Sequence, residues 1–139
     1  MRPETTFPTH VMIQTISGCN AGCFFCPYPY LKEKIVSQKM DKNLFKNIID
    51  ECSKHKEVEV VMPYLINEPL LDKELPEKIA YIKQKLPQAS THILTNGVLL
   101  DNSFAQRLID SNINWVGFSM HGIKNETISS TMNIDYEKT

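Results

Sequence analysis

"HVMIQTISGCNAGCFFCPY" (residues 10–28) runs a β-rich segment, 10–16, straight into Cys19, Cys23 and Cys26, a C-x3-C-x2-C array. A strand with candidate ligands just past its carboxyl end is the arrangement of α/β proteins, whose sites form in the loops that leave the strands. If the rest of the chain repeats the strand–loop–helix unit, this stretch fixes both the fold and the end of the sheet that carries the site.

The unit does repeat. "DKNLFKNIIDECSKH" (41–55) sets Leu44, Phe45, Ile48, Ile49 and Cys52 at helical spacing, and the valine-rich "EVEVVMPYLI" (57–66) reads as a second strand. "KELPEKIAYIKQKL" (73–86) puts Leu75, Ile79, Ile82 and Leu86 on one face, with Pro76 in an early turn where its missing N–H is harmless. A third strand, 91–97, closes on an Asn-Gly turn. The next helix, 103–111, opens with Ser103 and Gln106 in capping-box register. A fourth strand spans 114–122, a short helix follows over 124–132, and residues 1–9 form an extended arm. The order β-α-β-α-β-α-β predicts a parallel sheet covered by helices. The polar residues then fall where a site belongs. Asn67 and Glu68 follow strand 2, Thr95 and Asn96 end strand 3, and Ser119 and His121 end strand 4.

Composition bounds the function classes. One core and one domain suit 139 residues, and a formal charge of −1 gives no electrostatic footprint for nucleic acid. No apolar run approaches a membrane span, and "MRPETTFPTH" has no apolar signal-peptide core. Of four cysteines, three fall within residues 19–26, which suits a metal site in a reducing compartment and predicts a cytoplasmic protein.

Thiolate sites for zinc or iron–sulfur clusters usually present four protein ligands. Three cysteines around a [4Fe–4S] cube leave one iron open to a small molecule, and Gly18 and Gly22 let the loop approach closely. Two other readings stand beside this one: a zinc site completed by His121 or another histidine, and an electron carrier with Cys52 as fourth ligand. Cys52, however, shares the helical stripe of Phe45 and Ile49, which suits a core thiol better.

"CNAGCFFC" resembles the cluster motif of the radical S-adenosylmethionine (radical SAM) superfamily, C-x3-C-x-aromatic-C. "LINEPLL" (65–71), "ILTNGVLL" (93–100) and "VGFSMHG" (116–122) are similar, in order, to the ends of that family's second, third and fourth strands. The resemblance implies a partial TIM-like (β/α)6 barrel of the α/β class, with residues 10–139 as a (βα)4 portion of the core domain. It implies that Cys19, Cys23 and Cys26 hold three irons and that SAM chelates the fourth. Phe25 would lie beside the adenine, Glu68 would accept from the methionyl ammonium, and Asn67 stands where glycine is commoner. Ser119 would contact the ribose, with His121 and Asn96 behind it. An electron from a flavodoxin- or ferredoxin-like donor would cleave SAM to a 5′-deoxyadenosyl radical that abstracts hydrogen from a substrate. "CFFCPY", "NEPLL" and "TNG" are similar to members with an auxiliary-cluster (SPASM/twitch) domain, which implies a peptide or protein substrate.

Against that family pattern, strands 5 and 6 are absent, about 60 residues at the usual length of a strand–helix unit. "IDYEKT" (134–139) reads as the start of another helix, so the expectation is the N-terminal part of a longer enzyme. The alternative is a non-catalytic iron–sulfur or zinc binding domain.

Overall fold

In the computed structural model, which describes residues 7–135, the strands are shorter than their apolar runs, and each stops for a local reason. β2 is Val60–Met62 and ends at Pro63, which has no N–H to give a ladder. The strand expected over 57–66 therefore keeps only its middle. β1 is His10–Met12, and Ile13 still donates to the Met62 carbonyl at 2.8 Å. Past that point β2 is gone, so the rest of the expected 10–16 strand turns to residues 38–40. Met40 N–H reaches Thr15 O and Ser17 N–H reaches Gln38 O, both at 2.8 Å, around an antiparallel Ile16–Lys39 bridge. β3 (Ser90–Thr95) closes on Asn96 and Gly97, the latter at φ +81°, which favours glycine. β4 is Trp115–Phe118.

The four strands form one sheet in the order β1-β2-β3-β4, every pair parallel, as the alternation predicts. The helices are α1 (Tyr28–Leu31), α2 (Lys42–Cys52), α3 (Leu75–Lys85), α4 (Asn102–Asp110) and α5 (Asn125–Met132). Asp41 starts α2 by accepting from Asn43 N–H and Leu44 N–H. α4 begins earlier than its expected capping box, because Asp101 takes Phe104 N–H at 2.7 Å and leaves Ser103 inside the helix. An anionic cap also meets the positive end of the helix dipole. Neither α1 nor the 3-10 turn at Pro69–Leu71 has an amphipathic signature in the sequence.

Register fixes the faces of the sheet. Ile13, Val61, Ile93 and Val116 point to the helices, where α2 and α3 bring Phe45, Ile49, Cys52, Ile82 and Leu86. α3 and α4 bury Leu75, Ile79, Phe104 and Leu108 against Ile93. Each fully buried aliphatic side chain here stabilises the fold by about 1.5–3 kcal/mol. The α2 stripe is narrower than its sequence suggests, since Leu44 is 51% exposed. On the opposite face stand Met12, Met62, His92, Leu94 and Trp115, and the Trp115 ring lies over Gly117. At the amino end, Phe7 stacks on His55 at 3.7 Å and Thr9 O receives Glu59 N–H. The remainder of the expected arm, and residues 136–139 of the expected terminal helix, lie outside the described residues.

Beneath the loops, Asp72 is buried and ion-paired to Lys78 and to Lys39 (3.1 Å). Burial opposes its ionisation, but hydrogen bonds from the two lysines outweigh that and hold the carboxyl below its ordinary range. Lys39 and Lys42 likewise hold Glu74 down to about 2.

Candidate functional site

The loop between β1 and α1 carries Cys19, Cys23 and Cys26 and is strapped down on two sides. Its entry is held by Glu68 N–H donating to Gly18 O at 2.8 Å. Its middle docks on the carboxyl end of α5, where Gly22 N–H reaches Met132 O at 2.8 Å and Phe24 N–H reaches Thr131 O at 3.2 Å. These bonds satisfy carbonyls that a helix end leaves without intrahelical partners. A Cβ at Gly22 would sit 3.0 Å from the Asn133 amide, so glycine permits the approach. Ile128, Met132 and Ile134 pack against Ala21 and Cys23 beneath the loop, so α5 serves the loop and not the outer face of the sheet.

All three thiols are partly exposed and free of disulfides. Ala21 N–H points at Cys19 Sγ and Tyr28 N–H at Cys26 Sγ, each at 3.4 Å. Burial pushes the Cys19 thiol up; the Ala21 N–H offsets part of this, and the nearby Glu68, Cys23 and Cys26 charges add to it. Cys23 is raised by burial and then by Cys26. These directions favour the neutral thiols at Cys19 and Cys23, so thiolates there would form on binding a cation or metal centre. Among the described residues, no three His, Cys, Asp or Glu side chains are grouped as ligands of a single ion. Cys52 is 3% exposed within the core of α2 and α3, away from this loop.

Glu68 closes the floor. It is 2% exposed, yet Oε1 accepts from Leu70 N–H (3.0 Å) and Thr95 Oγ1 (2.5 Å), and Oε2 accepts from Asn96 N–H (2.9 Å). A carboxylate has roughly four acceptor positions, so about one remains, on Oε2. All three donors are neutral, and none of the ion pairs among the described residues includes Glu68. A buried anion without a cation is costly, and this one borders the thiols.

Beside it, Asn67 is 9% exposed and its Oδ1 accepts Leu65 N–H at 2.9 Å. Its Nδ2 is buried with no partner in the protein, a loss of about 1–3 kcal/mol for a donor left unsatisfied. Asn96 spends its side chain on Asn20 Oδ1 (2.8 Å) and on Val98 N–H (3.0 Å), tying the end of β3 to the cysteine loop. Phe25 and His121 meet edge to face at 4.4 Å, and both are exposed. Phe24 is 63% exposed and touches Phe25 edge-on. Ser119 N–H continues the ladder to Thr95 O at 2.8 Å.

The nine residues singled out in the sequence thus border one cleft: Cys19, Cys23, Phe25, Cys26, Asn67, Glu68, Asn96, Ser119 and His121. Sequence reasoning missed Asn20, Thr131 and Met132, and gave Thr95 no role. Thr95 stood at a strand end, a usable signal; the other three act through contacts between distant segments that one sequence does not display.

Residues 13–139 match the family described as the Radical SAM superfamily. The chain is 31% identical over 106 residues to the Fe-coproporphyrin III synthase of Methanosarcina barkeri, covering 76% of this chain and 25% of that protein. It is 28% identical over 117 residues to the PqqA peptide cyclase of Granulibacter bethesdensis, covering 84% of this chain and 30% of that protein. The crystal structure of BtrN in complex with AdoMet and 2-DOIA shares its fold with a TM-score of 0.72 at 23% identity, over 87% of this chain and 49% of that one. The chain therefore spans between a quarter and a half of each of these proteins.

Proposed function

Because the chain belongs to the Radical SAM superfamily, whose members use a [4Fe–4S] cluster and SAM, we propose that residues 10–139 are the first four strand–helix units of a SAM-cleaving enzyme. The buried Glu68 carboxylate carries this reading. Its three donors are neutral and leave an acceptor position on Oε2 at the floor of the cysteine cleft, where the ammonium of SAM would donate.

The donor set fits the two groups. Cys19, Cys23 and Cys26 would hold three irons and leave the fourth to the amino and carboxylate groups of SAM. When bound, the cluster supplies the electron that cleaves SAM to methionine and a 5′-deoxyadenosyl radical able to abstract hydrogen. The rest falls to the chain's own side chains. Ala21 N–H and Tyr28 N–H donate to the sulfurs of Cys19 and Cys26, which orients them in the loop. Asn96 fixes the cysteine loop through Asn20. Phe25 and His121 form an aromatic edge suited to adenine, and Ser119 stands beside them for the ribose. On the helix-free face, Met12, Met62, Leu94 and Trp115 form an apolar wall that would exclude water from a radical.

The fraction of each relative that the chain covers supports its being part of a larger barrel, as does the unpaired outer edge of β4 among the described residues. The three relatives differ in substrate chemistry by their names, so a peptide or protein substrate rests on the peptide cyclase and on the resemblance of "CFFCPY" and "NEPLL". An oxygen-sensitive cluster and free cysteines suit the cytoplasm and a flavodoxin- or ferredoxin-like donor. No helix among the described residues is long and apolar enough to cross a membrane.

Electron paramagnetic resonance of the anaerobically reconstituted, dithionite-reduced protein tests the proposal. A reduced cluster signal that changes when SAM is added is expected. A signal indifferent to SAM overturns it in favour of a non-catalytic cluster carrier, and zinc in place of a cluster overturns it in favour of a zinc domain.

A further inference from the structure

Residues 27–39, which lead away from the last cysteine of the loop, are held in place without being buried. α1 places no side chain in a core, and a helix of four residues gains little from its own hydrogen bonds. The segment is pinned instead from the cysteine loop and the residue before it. Tyr30 OH donates to Phe24 O at 3.2 Å, Ser17 Oγ donates to Val36 O at 2.8 Å, and Ser17 Oγ also accepts Gln38 N–H at 2.8 Å. Tyr28 N–H meets Cys26 Sγ at 3.4 Å, so the segment begins against a candidate cluster ligand, yet none of its residues lines the cleft.

What it turns to solvent is apolar surface flanked by cations. Tyr30 is 72% exposed, Val36 70% and Leu31 38%, three large apolar side chains within residues 30–36. Lys32 and Lys34 are exposed between them, and none of the ion pairs among the described residues includes either one. Glu33 is the single acid of the segment, and Lys39 is already engaged with Asp72 and Glu74. The patch is thus net positive on a chain whose formal charge is −1. The chemistry of the neighbouring site indicates what covers it. Each SAM cleaved consumes one electron, so a donor must reach the cluster while SAM fills the cleft. That donor needs a surface outside the cleft that abuts a ligand cysteine, and residues 27–39 provide one. Cations around a small apolar centre steer an acidic partner and still let it leave, as electron-transfer encounters over small interfaces require. The apolar centre suits a carrier that meets its partner with the hydrocarbon edge of a flavin.

We propose that Tyr30, Leu31, Lys32, Lys34 and Val36 form the docking face for an acidic, flavodoxin-like electron carrier. This rests on the proposed SAM-cleaving cluster. In the transfer the carrier's anionic flavin hydroquinone loses one electron and becomes the neutral semiquinone, the [4Fe–4S]2+ cluster gains it and becomes [4Fe–4S]+, and no proton moves.

The test uses the reconstituted full chain with two reductants, an acidic flavodoxin in its hydroquinone form and dithionite. Stopped-flow absorbance follows bleaching of the cluster, and calorimetry measures binding of the oxidised flavodoxin. For the double variant Lys32→Glu, Lys34→Glu the expected result is reduction by flavodoxin slowed at least about tenfold at low salt, weaker flavodoxin binding, and a rate that no longer falls as salt is raised. Iron content, reduction by dithionite and the response of the reduced signal to SAM should match wild type. Val36→Ser leaves the charges alone and should slow flavodoxin several-fold with the wild-type salt dependence. Equal flavodoxin rates in wild type and variants overturn the proposal, as does a wild type that flavodoxin cannot reduce. Equal slowing with both reductants also overturns it, by placing the effect in the cluster itself. A wild-type dimer in sedimentation that the variants abolish overturns it by assigning the patch to a second copy of the chain. A wild type without a cluster, or with one indifferent to SAM, overturns the underlying reading as well, whereas a SAM-responsive cluster with indifferent variants overturns only the docking face.

Discussion

Glu68→Gln separates the structural duty of this carboxylate from its proposed cofactor contact. The glutamine oxygen takes the place of Oε1 and keeps Leu70 N–H and Thr95 Oγ1, while its NH2 confronts Asn96 N–H, which Oε2 now receives at 2.9 Å. Orphaning that buried N–H costs about 1–3 kcal/mol. The two surviving bonds change from charge-assisted to neutral and lose roughly half their strength, about 1 kcal/mol together. A neutral amide is easier to bury than a carboxylate, which returns part of the loss. The net expectation is a destabilisation of about 2 kcal/mol, or roughly 6–10 °C in Tm for a chain of this size. Thermal and urea unfolding of the cluster-free protein measures it. Thr95→Val removes the partner hydroxyl, and the double variant should show a coupling of at least about 0.5 kcal/mol. If Glu68→Gln unfolds within about 0.5 kcal/mol of wild type, the carboxylate is not bracing the β2 and β3 loops and the reasoning from its hydrogen bonds fails.

Cys23→Ala should abolish cluster incorporation, whereas Cys52→Ala should retain it and lose only about 1 kcal/mol of core packing; iron and sulfide analysis decides, and equal loss in both would mean four protein ligands. Asp72→Asn leaves Lys78 buried beside a neutral amide and should cost about 3–5 kcal/mol in urea unfolding. Because the Asp72 carboxyl is held below its unfolded value, its contribution is present above about pH 4 and is lost as pH falls through the native value. Glu74, held at about 2, extends the same loss towards that pH, so wild-type stability should decline between about pH 4 and 2 and Asp72→Asn should decline less. Gly117→Ala places a Cβ 2.0 Å from the Trp115 ring and must displace it, and as Trp115 is the single tryptophan, a shift in intrinsic fluorescence reports the movement directly.

The alternation of strand and helix was legible because burial writes it into the chain. Leu75, Ile79, Ile82 and Leu86 are all fully buried, as their spacing requires, and the valines of β2 sit in the middle of a parallel sheet. The limits of the strands were less legible, because an apolar run records burial and not pairing. Tyr64 and Leu65 follow a proline that has already ended the ladder, and Ile16 pairs antiparallel with Lys39. Capping failed for a related reason. Ser103 and Gln106 satisfy the local pattern, but Asp101 lies two residues earlier and offers a charged acceptor.

The site followed from the same logic with one addition. Parallel strands send all their carboxyl ends to one side, so residues placed just past four strands must meet, and the cleft gathers them. What the spacing could not convey is how those residues hold one another. The family resemblance gives Glu68 a cofactor contact, yet most of its acceptor capacity joins the loop after β2 to the end of β3. Asn96 reads as a ribose contact, yet its amide bonds to Asn20, 76 residues earlier. Such polar pairs carry no periodicity and bury little apolar area, so nothing in a single chain marks them. Their consequence is mechanical. The cysteine loop is fixed by Gly18 O, by Asn20 and by the carboxyl end of α5, which belong to three different loop contacts. A cluster held by three thiolates lacks the fourth protein ligand that would otherwise set its orientation. The surrounding straps must supply that rigidity, which is why loosening Glu68 or Asn96 should disturb SAM binding even where the cysteines are untouched.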